Sequence, residues 1–295
     1  METINLMALR HSAFYSPYLM TFAGSFLEEE GLKANYKVAT PECTVDESIL
    51  NGSCHVAQSA VATRFSDLES GLQSDIAHFA QINERDGFYI AAREGDDCFN
   101  WNKLSSKKVL VDHFFQPYAM LKYALLKKDL KISDLEVINA GDVDQIENAF
   151  RGGIGDYVHL QGPYPQQLEA EGLAHVVASV GDVIGPVAFS SLCAHKNWLE
   201  TDMAAAFIRA YKKAMAYVIE APASEIAAKE KEAGLFPSID KVVLENTIKD
   251  YQKLGCWNND ITISKQAIET LINVFRNSGD ISMLYRYDQL VFLSN

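Results

Sequence analysis

"INLMALRHSAFYSPYLMTFAGSFLEEEGL", Ile4 to Leu32, lays a strand, a loop and a helix end to end. Ile4 to Leu9 form the short apolar run that a buried strand makes. Ser16 reads as the cap of the following helix, and Pro17 suits its first turn, where a missing N–H costs nothing. Leu19, Phe22, Ala23, Phe26 and Leu27 then recur at helical spacing, and Gly31 is placed to stop the helix in the left-handed conformation. Between strand and helix stand Arg10, His11, Phe14 and Tyr15. Aromatic and polar groups at such a junction are either a staple for the helix entry or a wall of a binding site.

The same alternation runs outward from this unit. "ANYKVAT" reads as a strand, Thr44 to Glu47 as a capping box for a short helix ending at Gly52, and "CHVAQ" as a strand. Ser59 is expected to cap a helix reaching about Glu69, and "SDIAHFAQI" is a fourth strand. "KKVLVD", "LEVINA", "DYVHL" and "AHVVAS" continue as strands, separated by helices in "FFQPYAMLKYALLKK", "DVDQIENAFRGG" and "PYPQQLEAEGL". Repeated strand–helix–strand units imply mostly parallel sheets covered by helices. "VAFSSLCAH" is a last strand, and from Thr201 the chain is helical. Those helices cannot build a sheet of their own and are expected to pack on the first lobe. The reading is therefore an α/β chain of two lobes, residues 1–86 plus 188–295 as lobe 1 and residues 87–187 as an inserted lobe 2. "DGFYIAARE" and "GPVAFSSLCAH" are the two hinge crossings.

The chain's 295 residues suffice for two cores, and its 48% hydrophobic and 22% charged content is ordinary for a water-facing globular protein. A net charge of -13 argues against nucleic acid, whose phosphates need clustered Lys and Arg. No apolar stretch approaches the roughly 20 residues that span a bilayer. Met1 leads almost directly into the first strand, without the basic and apolar regions of a secretory signal. The expected location is periplasmic or otherwise extracytoplasmic if a signal has been removed, and cytoplasmic if Met1 is native. The five cysteines are widely spread with no C-x-x-C, and read as small buried thiols. "GGIGD", residues 152–156, follows a helix and precedes a strand, the reverse of a phosphate loop, and reads as a helix stop.

In open α/β sheets, ligands sit outside the carboxyl ends of the strands. Those ends carry Arg10, His11, Phe14 and Tyr15; residues 40–44; Gln58 and Ser59; and Asn83 and Glu84. From the inserted lobe come Asp112, His113, Phe114 and Phe115, then Asn139, and then His159 and Gln161. At least one of Phe114 and Phe115 is expected to face the cleft, since two consecutive loop aromatics cannot both enter one core. Asp112 is either a helix cap or a ligand contact. Free helix N–H groups at Ser16 or Ser59 can meet polar or anionic ligand atoms. His55 and His78 read as core groups. His11, His113 and His159 lie on the cleft side, but no paired-histidine or carboxylate spacing supports a metal, and no cofactor is called for.

The order of "HSAFYSPYLMTFAGSFLEEEGLKANYKV", "ILNGSCHVAQSAV", "LSSKKVLVD" and "GPVAFSSLCAHKNWLETD" followed by a long Ala-rich helix resembles the solute-binding proteins of nitrate, sulfonate and thiamine-precursor ABC importers. The resemblance covers nearly the whole chain. It implies the two-lobed periplasmic-binding-protein type II fold, a small-molecule ligand held between the lobes and an ABC permease as partner. The aromatic loops favour a flat ring such as a thiamine-precursor pyrimidine over nitrate, with a sulfonate or other organic anion open and Arg10 as its counter-charge. The family also contains intracellular thiamine-pyrimidine synthases. That branch carries a CCCFC run and a cofactor lysine, where this chain has "AFSSLCAH" and "TPECTVDESILNG" with no lysine, so no catalytic residue is assigned. A ligand-sensing module is the third reading.

Overall fold

Ten strands pair into two five-stranded sheets in the computed structural model, which describes residues 1–292. The first sheet has β1 (Glu2–Ala8), β2 (Leu32–Val38), β3 (Val56–Ser59), β4 (Ile76–Asn83) and β10 (Ser190–His195) in the order β2-β1-β3-β10-β4. The second has β5 (Phe88–Ala92), β6 (Lys108–Val111), β7 (Glu136–Ile138), β8 (Tyr157–Gln161) and β9 (His175–Ser179) in the order β7-β6-β8-β5-β9. β1 runs parallel to β2 and β3, and β6 parallel to β7 and β8. The antiparallel strand of each sheet, β10 or β5, is the one that begins just after the chain has crossed from the other sheet. The fold is the two-sheet α/β arrangement that the alternating pattern implies.

The two crossings lie side by side. Residues 84–87 join β4 to β5, and residues 185–189 lead into β10; the Val187 N–H donates to Glu84 O at 2.9 Å and the Phe189 N–H to Asn83 O at 3.2 Å. The C-terminal chain clamps them, with Ala188 N–H on Ala267 O at 3.1 Å and Glu84 N–H on Cys256 O at 2.8 Å.

The long helix Asp202–Glu220 starts where Thr201 Oγ1 accepts the Ala204 N–H. Its Ala204, Phe207, Ala210, Tyr211, Ala214, Met215 and Val218 form one buried face, whose alanines let it approach the helix Ser16–Ala23 closely. Two of the late helices also reach the helices that flank the second sheet. Helix Lys265–Ser278 packs on Phe115–Leu126, and helix Lys241–Leu254 packs on Tyr164–Ala170, both of which flank the second sheet.

Several local expectations are corrected. The helix expected from Ser16 to Gly31 is two, Ser16–Ala23 and Phe26–Glu29, broken at Gly24 and at Ser25, whose φ of 63° is left-handed. Ser16 does not cap it: its hydroxyl donates to Ala13 O, and Ser12 instead caps a 3-10 turn, Ala13–Tyr15. Ser59 is the last residue of β3, and the next helix opens at Thr63 without a side-chain cap. Of the thiols read as buried, Cys98 is exposed and Cys43 half-buried.

Candidate functional site

Strand tips from the two sheets meet at one place. Arg10, just past β1, and Asp112, just past β6, form a two-point ion pair, Nη1–Oδ2 at 2.8 Å and Nη2–Oδ1 at 3.4 Å. Phe114 lies under the guanidinium, with its ring centre 4.4 Å from Cζ. Asp112 Oδ1 also accepts the Phe114 N–H at 2.8 Å, at the mouth of helix Phe115–Leu126. Ser12 Oγ donates to Gly162 O at 2.7 Å, and Gln116 Nε2 donates to Phe189 O at 2.6 Å. The two sets of loops are therefore closed on each other.

Behind the ion pair is a cavity of about 40 Å³, the space of a few water molecules. Tyr15, Phe88, Phe114 and Phe189 supply aromatic walls, and Gln58, Gln116, Gln161 and Ser190 supply polar groups. Gln58 Oε1 accepts the Arg10 N–H at 3.2 Å. Gln116 Oε1 and Gln161 Nε2 are buried without any hydrogen-bond partner. A buried amide atom left unpaired is costly, so an acceptor and a donor left open beside an aromatic cavity make this the candidate site.

Among the described residues, Arg10 is the one side chain bordering this cavity that is charged at neutral pH. Burial raises the Tyr15 phenol, with the Arg10 charge opposing. His159, just below, is fully buried, stacks on Phe88 at 4.7 Å and has both ring nitrogens unpaired. Burial pulls it down to about 4, so it is neutral. Asp86, in the first crossing, accepts the Phe88 N–H at 2.7 Å and is pushed by burial up to about 8. No group of three His, Cys, Asp or Glu side chains among the described residues is placed to hold a metal ion.

Of the residues read from the sequence as candidates, Arg10, Tyr15, Gln58, Phe114 and Gln161 border the cavity, with Asp112 attached through Arg10. The structure places the others elsewhere. Phe14 is fully buried between Phe189 and Tyr251, because the 3-10 turn carries it under the loop. His11 leaves the cleft for Tyr36 Oη at 2.9 Å, Leu235 O at 2.5 Å and a stack on Phe236, and burial lowers its pKa. Ser59 is buried within β3. Asn83 Nδ2 donates to Phe14 O at 2.7 Å, fixing that loop, while Glu84 takes Asn258 and Ser264 of the C-terminal segment. His113 folds back onto Val111 O and Tyr118. Phe115 packs on Phe275, and His159 sits beneath Phe88. The sequence reading passed over Phe88, Gln116, Phe189 and Ser190. Gln116 adjoins the two phenylalanines it did single out, and Phe189 and Ser190 open the returning strand.

Two roomier cavities are present, the second of them bordered by His11 at the tip of β1. One of about 580 Å³ lies between helix Thr63–Glu69 and residues 283–292, at the amino end of β4. One of about 410 Å³ lies between Tyr164–Ala170 and the turn at residues 235–239. Size alone would favour them, and Gln167 Oε1 is likewise orphaned at the second, but the strand carboxyl ends of both sheets converge on the small one.

A family model described as NMT1/THI5 like matches residues 15–225. YtlA of Bacillus subtilis (strain 168), provisionally named a binding protein, is 28% identical over 292 residues, covering 98% of this chain and 87% of that one. The ligand-binding component of an ABC-type import system from Staphylococcus aureus, solved with zinc bound, superposes with a TM-score of 0.75 at 16% identity, covering 99% of this chain and 97% of that one. The periplasmic aliphatic sulphonate binding protein SsuA from Escherichia coli gives a TM-score of 0.75 at 15% identity, covering 100% and 93%. At such identities the structures share a fold with this chain.

Proposed function

This chain belongs to the NMT1/THI5 like family, and we propose that it is the solute-binding component of an ABC importer, capturing a small heteroaromatic molecule between its two sheets. The observation that carries this reading is the aromatic cavity with an open acceptor, Gln116 Oε1, and an open donor, Gln161 Nε2. Once the lobes part and widen the cavity, a flat ring such as a thiamine-precursor pyrimidine can stack between aromatic side chains while its edge pairs with both amides. The names of YtlA and of the superposed importer components support a binding role.

Residues 1–86 with 188–295 act as one lobe and residues 87–187 as the other, turning about the crossings at 84–87 and 185–189. Parting them breaks the Arg10–Asp112 pair and the Ser12–Gly162 hydrogen bond. Arg10 is 22% and Asp112 4% exposed in the side chain, so desolvation offsets much of the pair's attraction. The ligand enters the open form, shifts the population towards closure, and the closed shape is offered to a permease. Chemistry on the ligand has no support here: Cys193, alone where the synthases have a cysteine run, is buried and its thiol is pushed up by burial.

Isothermal titration with 4-amino-5-hydroxymethyl-2-methylpyrimidine tests the reading. Saturable one-to-one heat is expected; silence from this and related aminopyrimidines removes the ligand class.

A further inference from the structure

We propose that Asp112 is a specificity residue that keeps anions out of the interlobe cavity by neutralising Arg10, so that the site takes an uncharged ligand. The inference rests on the solute-binding reading above and adds a charge rule to it. Two features of the cavity could attract an anion. One is the Arg10 guanidinium, and the other is the set of free N–H groups opening helix Phe115–Leu126. Asp112 ties up the first and stands beside the second: its oxygens take Nη1 and Nη2 of Arg10, and Oδ1 accepts the N–H of Phe114, one residue before the helix, placing its negative charge next to the open helix N–H groups. Its side chain is 4% exposed, so its charge is poorly screened. Phe114 covers one face of the guanidinium, and the Arg10–Asp112 pair carries no net charge.

An incoming sulfonate would meet a buried carboxylate already in place and would have to displace it. An uncharged ring meets Gln116 and Gln161, each with an atom to spare, and no opposing charge. The site thus uses a repulsive element as well as attractive ones to select its occupant.

Removing the carboxylate charge should reverse the selection. In Asp112→Asn the Oδ1 atom still caps the Phe114 N–H while Arg10 loses its counter-charge. Asp112→Ser keeps a capping oxygen and serves as a second carrier of the same change. Full-length wild type, both variants and the Arg10→Gln/Asp112→Asn double variant are titrated with ethanesulfonate and with 4-amino-5-hydroxymethyl-2-methylpyrimidine. The expected result is that ethanesulfonate affinity rises by roughly 10- to 100-fold in either single variant, the range of a charge-assisted hydrogen bond, and returns to the wild-type level in the double variant. That rise supports the charge rule even if the pyrimidine binds no form, an outcome that would fell the ligand reading alone. Pyrimidine binding to wild type with no sulfonate gain in folded Asp112→Asn or Asp112→Ser overturns the charge rule and leaves the ligand reading standing. Wild type that prefers ethanesulfonate to the pyrimidine overturns both.

Discussion

The loops "RHSAFYSP" at residues 10–17 and "DHFFQP" at residues 112–117 follow β1 and β6, one in each half, and share a grammar of charge, histidine, aromatics and proline. Both are held by a side-chain oxygen that accepts a phenylalanine N–H two residues on, Ser12 for Phe14 and Asp112 for Phe114. Their aromatics end differently. In the first loop a 3-10 turn intervenes before the helix, and Phe14 goes wholly into the core. There it presses on Gly87 of the first crossing, where a Cβ would come within 2.5 Å of the ring. In the second loop the chain enters its helix at once; Phe114 stays about half exposed at the cleft, and Phe115, similarly exposed, packs on Phe275. One turn of backbone thus decides whether an aromatic loop builds the scaffold or faces the gap.

The largest test of this contrast is Phe14→Ala, which should cost about 3–5 kcal/mol of stability in denaturant unfolding. An equal loss in Phe114→Ala would break the contrast. Next comes Tyr15, the aromatic of the first loop that does reach the cavity. Tyr15→Ala should weaken aminopyrimidine binding by about 1–3 kcal/mol in isothermal titration, whereas unchanged affinity would remove the first loop from the site altogether.

The burial that takes Phe14 also takes Asp86, whose pKa rises to about 8. Because its folded-state value lies above the ordinary one, the folded protein binds the extra proton between about pH 4 and 8, and stability falls as pH rises through that window. Asp86→Asn, which can still accept the Phe88 N–H, removes this slope. Its stability advantage over wild type should grow with pH by no more than about 1.4 kcal/mol per unit and level off near pH 8. Unfolding midpoints at pH 5 and 8 that differ equally in both proteins would show Asp86 to be ionised and solvated. The smallest effect belongs to Phe114→Ala, which loses a half-exposed ring and a cation–π contact, a stability change of at most about 1 kcal/mol by thermal melting.

Much of the fold was legible because burial on both faces of a parallel sheet leaves apolar runs such as "KKVLVD", and capping residues such as Thr44 and Thr201 mark helix starts. The break at Ser25 was not legible, since a left-handed serine has no local signature. At the site, the strand-tip rule found Arg10, Gln58, Phe114 and Gln161. It could not foresee that His11 would turn to Leu235, because that partner is 224 residues away in sequence. It also could not foresee the pairing of Arg10 with Asp112, which depends on how two separately built halves close. Gln116 and Phe189 escaped for a like reason: each borders the cavity only because the other holds it, through Nε2 on a backbone carbonyl.

The place of β10 has a consequence for how the chain is made. It is the middle rung between β3 and β4, yet its residues 190–195 leave the ribosome only after the whole second sheet has emerged. During translation β4 must wait, unpaired on that side, while the later-made half completes itself from continuous sequence. The first sheet is begun first and finished last, so its completion is timed by the return of a single short strand.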